Sequence, residues 1–203
     1  MVQHFFCNRT QLLPVVPLAD GILYLPERCD KVAVGAVGEL ENVAQFFDLQ
    51  AKGVRTIVGI SVLKPITGAG EIKGIELGES RKSPIYRSSA YVLATGKFVG
   101  GGLDAQPNRV FETLLDLPVQ YPRNRKEWFN AQLLTAAGQP FNSFGVEVNE
   151  NIQPVDPTGK VIYQNLFAAG GILAHADSMA EKSGGGVAIA TGYVAGELAA
   201  KGN

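Results

Sequence analysis

Ser183 is followed by three consecutive glycines, Gly184, Gly185 and Gly186, which open an apolar segment, residues 187–198, whose small and branched side chains recur on a helical period. Glycines weaken a helix interior, so such a run belongs at a helix start. Upstream, the apolar residues 166–169 read as a buried strand that stops at the pair Gly170-Gly171. The chain is thereby held to a strand, a loop and a helix whose first turn presents unpaired N–H groups and the positive end of the helix dipole. With no Cβ on the glycines, a planar or anionic group can lie directly on that backbone. The plainer alternative is that they let the helix pack closely on the sheet, with Ser183 as an ordinary N-cap.

The remaining sequence supplies a core for this unit. Of 203 residues, 46% are hydrophobic and 18% charged, enough for a buried core in one domain. A formal net charge of −1 leaves no electrostatic footprint for nucleic acid or an anionic membrane surface. Arg123, Arg125 and Lys126 lie among Tyr121, Trp128 and Phe129, but three cations on a net-acidic chain read as a solvated loop or docking surface. Cys7 and Cys29 are too few for a disulfide framework, and the first residues lack the charged-then-apolar layout of a secretion signal, so a cytoplasmic protein is expected. No apolar run approaches the roughly 20 residues that span a bilayer, so membrane association is expected only through a partner.

In chain order, residues 1–38 read as an irregular N-terminal segment broken by Pro14, Pro17 and Pro26, and residues 39–203 as the folded domain. The face formed by Leu40, Val43, Ala44, Phe47 and Ala51 predicts a helix over 39–52 that stops at Gly53. Strand-like runs at 54–63, 71–77 and 85–94, separated by turn-rich residues 64–70 and 78–84, predict an antiparallel β-meander ending near Gly96. A Pro-rich insertion over 103–140, a strand over 141–148 and a loop over 149–160 precede the C-terminal strand, loop and helix of residues 161–200. The expected fold class is α/β with α+β character.

A strand ending Ala94-Thr95-Gly96 after a meander, paired with a strand N-L-F-A-A-G-G that leads to a glycine-opened helix, resembles the second half of the glutathione-reductase-like FAD proteins. The ordered set V-L-A-T-G-K-F at 92–98, Gly101-Gly102-Leu103, R-V-F-E-T-L-L-D-L-P-V at 109–119, Phe144-Gly145-Val146, and the stretches 165–171 and 177–187 is more specific. It is similar to the C-terminal part of the B-type subunit of the anaerobic glycerol-3-phosphate dehydrogenases, and each motif alone is weak. The resemblance implies a flavin cofactor, FAD or FMN, and a catalytic A-type and an iron–sulfur C-type subunit as partners. It also implies a relay of electrons from glycerol 3-phosphate to quinone. It places Thr95 and Gly96 near the dinucleotide. Gly170, Gly171, Asp177, Ser183, Gly184, Gly185, Gly186, Val187 and Ala188 then lie against the pyrophosphate, ribityl chain and ring.

The sequence departs from that pattern in two respects. No strand-turn-helix with G-x-G-x-x-G precedes the meander, so the chain reads as part of a longer or split protein whose other half, or a second copy, caps the sheet edge. Ser183 stands where the family carries cysteine, and Ser178 where proline is usual. A flavin carries its own redox chemistry, so no acid–base pair is required. His175 is the candidate to take a substrate hydroxyl proton, its plainer role being that of a loop histidine hydrogen-bonded locally. With His4 and His175 far apart and no C-x-x-C spacing, no metal site is expected. Two competing functions share these motifs: a non-catalytic assembly module, and an FAD-dependent dehydrogenase of another substrate.

Overall fold

The computed structural model describes residues 22–24, 31–35, 55–57, 62–78, 84–132, 135, 138–183 and 185–201. The helix expected over 39–52, the division of the chain at residue 39, and Gly184 lie outside the described residues.

The chain is a mixed strand and helix structure built from small sheets. Strands β1 (Ile22–Tyr24) and β3 (Arg55–Ile57) pair antiparallel, and β2 (Lys31–Gly35) lies between them in sequence. An antiparallel sheet follows, with β4 (Val62–Gly68), β5 (Glu71–Leu77) and β6 (Ile85–Tyr86) in the order β4-β5-β6. Strand β7 (Ala90–Ala94) then enters a parallel sheet, flanked by β2 on one side and by β12 (Leu166–Ala168) on the other. In β5, Ile75 and Leu77 lie two apart on one buried face, and a register shift against β4 leaves Lys73 as an extra, exposed residue and brings Ile72 into the core as well. Strand β7 does not alternate. Ala90, Tyr91, Val92 and Leu93 are all buried, the mark of a central parallel strand covered on both faces.

The expected meander is corrected in two places. Of its first run, 54–63, Arg55–Ile57 pairs with β1 in another sheet; the strand that pairs with β5 begins at Val62 and runs through Pro65 to Gly68, so that only Ala69-Gly70 turn the chain, both at positive φ, 54° and 73°. That conformation suits a tight two-residue hairpin, and Pro65 is tolerated because β4 is an edge strand. The third run also divides. Ile85–Tyr86 closes the antiparallel sheet, whereas Ala90–Ala94 leaves it for the parallel one. The intervening Ser88 N–H donates to the Tyr91 hydroxyl at 2.9 Å, fixing the bend.

Residues 103–132 are structured around aromatic rings. Strands β8 (Leu103–Gln106) and β9 (Arg109–Glu112) form a hairpin, and β10 (Val119–Gln120) pairs with β11 (Gly145–Val146). Trp128 meets Tyr121 and Phe144 edge-on, with centroids 5.6 and 6.3 Å away, and its indole N–H donates to Pro122 O at 2.7 Å. Arg123, Arg125 and Lys126 are exposed beside this cluster. The strand expected over 141–148 is shorter: Pro140–Ser143 forms a 3-10 turn before β11.

After β12 the chain makes a 3-10 turn, Gly170–Ile172, and later the helix α1, Gly186–Lys201. The small residues Gly192, Ala195 and Ala199 recur at helical spacing and are buried, and the helix lies against β7, β12 and the 3-10 turn.

Candidate functional site

Parallel strands present ligand sites beyond their carboxyl ends, where the connecting backbone splays apart. Here the relevant ends are Ala94 of β7 and Ala168 of β12, with Gly35 of β2 paired to Ala94. Ala94 and Ala168 are each followed by glycine-rich chain. Gly96 has φ +69° and Gly170 φ +73°, conformations that favour glycine. A Cβ on Gly102 would stand 2.1 Å from Gly96 O and 2.4 Å from Thr95 Oγ1, so this backbone can fold onto the end of β7 only as glycine.

Short separations join these segments to the helix. A Cβ on Gly171 would lie 3.7 Å from Gly96 Cα, and one on Gly170 would lie 3.6 Å from the Ala188 Cβ. Thr191 reinforces the contact from the second turn of α1: its hydroxyl accepts the Gly170 N–H at 2.8 Å and donates to Val187 O at 2.5 Å. The structure thus brings together Thr95, Gly96, Gly170, Gly171, Val187 and Ala188. Neither Thr191 nor Gly102 was singled out by sequence reasoning. Gly102 belongs to the Gly101-Gly102-Leu103 motif, but the partner of Thr191 lies 21 residues away, beyond any local pattern.

The start of α1 is open. A Cβ on Gly186 would meet nothing within 4 Å, and one on Gly185 only the tip of Ile189 at 4.0 Å. Close packing on the sheet therefore does not require these two glycines. Ser183 O accepts the Gly186 N–H at 2.8 Å. Its side-chain hydroxyl has no hydrogen-bond partner although it is buried, and the same is true of Thr95 Oγ1, on a residue with no exposed surface. Orphaned buried hydroxyls are costly, so each calls for an explanation.

His175 and Asp177 stand on the intervening loop. His175 holds φ +63° and its Nε2 lies 2.8 Å from Glu147 Oε1, both side chains well exposed. Asp177 Oδ1 accepts the N–H groups of Met179 and Ala180, while its own N–H donates to Glu181 Oε1, so the carboxylate is engaged in holding the turn. Lys97 crosses toward the same loop. Burial lowers its ammonium to a pKa of about 8, opposed by the negative charges of Asp177 and Glu181.

Residues 68–187 match the FAD binding domain family. The chain is also 35% identical over 156 residues to a Halobacterium salinarum protein designated the probable B-type subunit of an anaerobic glycerol-3-phosphate dehydrogenase, covering 77% of this chain and 36% of that protein. Against the B-type subunit of the anaerobic glycerol-3-phosphate dehydrogenase of Vibrio cholerae serotype O1 it is 36% identical over 149 residues, 73% of this chain and 33% of the other. The equally designated protein of Vibrio vulnificus is 36% identical over 108 residues, 53% of this chain and 24% of its own. The chain thus spans about a third of the length of the first two relatives. No solved structure matches it. The family match runs from the last residue of β4 into the first turn of α1 and takes in both glycine segments and the orphaned hydroxyls; the chain belongs to the FAD binding domain family, and its cofactor is FAD.

Proposed function

We propose that this chain is the C-terminal, flavin-binding part of a glutathione-reductase-like oxidoreductase subunit. In this reading it acts as the B-type subunit of an anaerobic glycerol-3-phosphate dehydrogenase, which oxidises glycerol 3-phosphate to dihydroxyacetone phosphate and sends the electrons to quinone. The carrying observation is the pair Gly185-Gly186, which borders open space at a helix start just after the buried, unpartnered hydroxyl of Ser183, with a second such hydroxyl on Thr95 at the end of β7. A flat, partly anionic group fits that arrangement: it needs backbone without Cβ atoms, N–H donors at the helix N-terminus and hydroxyl partners.

When bound, FAD supplies the redox chemistry, accepting two electrons from an alcohol carbon. The chain's own residues bind and orient it. Thr95 Oγ1 and Ser183 Oγ would hydrogen-bond the cofactor, and the positive end of α1 at Val187 and Ala188 would lie toward its anionic portion, the Gly186 N–H being held by Ser183 O. Gly96, Gly170 and Gly171 let it approach the ends of β7 and β12, while Thr191 keeps the 3-10 turn seated on α1. His175, oriented by Glu147, is the group assigned to the substrate hydroxyl proton.

The reading takes a catalytic A-type and an iron–sulfur C-type subunit as partners; the relatives' designation as one subunit of several supports the presence of other subunits. Among the described residues, no helix is long and apolar enough to cross a membrane and no cluster of His, Cys, Asp or Glu is placed to hold a metal.

The test is an absorbance spectrum of the purified chain after incubation with FAD or FMN and desalting, then anaerobic addition of glycerol 3-phosphate. Retained FAD that bleaches with glycerol 3-phosphate supports the full reading. FAD that does not bleach confines the chain to binding, and a colourless protein removes the flavin role. A second reading, a non-catalytic assembly module, draws on the apolar residues Ile189, Tyr193 and Val194 exposed on α1 at 51, 42 and 38%. It predicts co-purification with the A-type subunit irrespective of flavin.

A further inference from the structure

Lys97 follows directly on the Thr95-Gly96 turn, yet its side chain turns inward. The ammonium donates to the carbonyl of Asn142 and, at 2.7 Å, to that of Ala176, so one cation joins the end of β7 to segments 45 and 79 residues further on. Those two segments are already paired with each other. Ala174 N–H donates to Val146 O at 3.0 Å and His175 N–H to Ser143 O at 2.8 Å. Just beyond that short ladder, Lys97 holds both strands to the sheet.

Backbone contact makes the arrangement tight. A Cβ on Gly145 would stand 2.4 Å from Leu173 C and Ala174 N, so the two segments meet main chain to main chain with no side chain between them. On the loop, Asp177 and Glu181 are the charged groups facing Lys97; the Pro140–Ser143 turn contributes the Asn142 carbonyl, and the strand end contributes no charge. A surface lysine keeps its head in water, whereas this one is half-buried and spends two of its three donors on carbonyls.

We propose that Lys97 is a positioning residue: a cationic clamp that fixes the 140–143 turn and the 173–177 loop against the end of β7 and so shapes one wall of the cofactor edge. The inference rests on the reading of that edge as the FAD seat. It adds a pH response. Burial lowers the ammonium's pKa to about 8, so an opening that re-solvates Lys97 takes up a proton and is disfavoured as the pH rises above that value, while the neutral amine keeps two donors for the two carbonyls.

The test uses the full chain and the variants Lys97→Met and Lys97→Arg. Amide exchange at Ala174 and His175, corrected for its intrinsic pH dependence, reads the clamp; FAD titration at pH 7 reads the seat. The methionine variant is expected to exchange about tenfold faster at these amides, to lose the rise in protection that the wild type shows above pH 8, and to bind FAD about tenfold more weakly. Arginine restores both readouts. Wild-type exchange in the methionine variant overturns the clamp, and faster exchange with unchanged FAD affinity overturns the positioning role. If the wild type itself takes up no FAD, the seat reading fails and the positioning role falls with it, while the exchange data still report whether the link exists.

Discussion

The two ends of strands β7 and β12 are built on opposite terms. At their amino ends the polar groups find partners. Asn165, just before β12, accepts the Ile72 N–H through Oδ1 and donates from Nδ2 to Ile72 O, both at 2.9 Å, so one side chain stands in for a strand partner to β5. Its own carbonyl accepts the Tyr91 N–H at 2.8 Å, and the Tyr91 hydroxyl accepts the Ser88 N–H. At the carboxyl ends, by contrast, Thr95 Oγ1 and Ser183 Oγ are buried without partners and Gly186 faces open space. Stability is concentrated at one end, and unmet binding capacity at the other. Mutations at the two ends should therefore differ in sign as well as in size.

The largest effect is expected at the amino end. Asn165→Ala strands both backbone groups of Ile72, a residue only 2% exposed, and should cost about 2–3 kcal/mol in urea unfolding. A loss near zero would break the contrast. Thr95→Val, at the other end, removes a buried hydroxyl that the protein leaves unpaired; it should raise stability by about 1 kcal/mol while weakening FAD binding roughly tenfold. A destabilised Thr95→Val variant would mean that the hydroxyl already has an internal role. Gly186→Ala meets nothing in the fold, so its melting temperature should hold or rise by the equivalent of about 0.5 kcal/mol, with FAD affinity again reduced.

Lys97 gives the smallest stability effect, read as a pH slope. Its folded pKa of about 8 lies below the ordinary 10.5, so between those values the unfolded chain binds more protons. Stability should accordingly rise with pH across that window, and Lys97→Met should remove this contribution. A slope of the opposite sign would show that the ammonium is stabilised, not penalised, by its surroundings.

The carboxyl end was more legible in the sequence than the amino end, for a physical reason. The apolar run at 166–169 and the period over 187–198 are local signals, and they locate β12 at Leu166–Ala168 and α1 at Gly186–Lys201. Glycines likewise announce themselves. Asn165 was visible only as the first letter of a motif, because its partner Ile72 lies 93 residues away. Pro65 misled in the other direction: proline signals a turn, but an edge strand with a register shift accommodates it. The parting of β6 from β7 depends on whether Ala90 pairs with β2 or continues the meander, a tertiary choice that two adjacent apolar runs do not encode. Lys97 looked like one letter after Thr95-Gly96 because its acceptors come from remote segments.

The most direct test of the account follows the backbone amides of the 15N-labelled chain during titration with FAD. Shifts are expected to concentrate at Thr95, Gly96, Gly171, Ser183, Gly186, Val187 and Ala188, while Ile72, Tyr91 and Asn165 stay in place. Shifts centred on the amino ends of the strands, or an unchanged spectrum at saturating FAD, would contradict it.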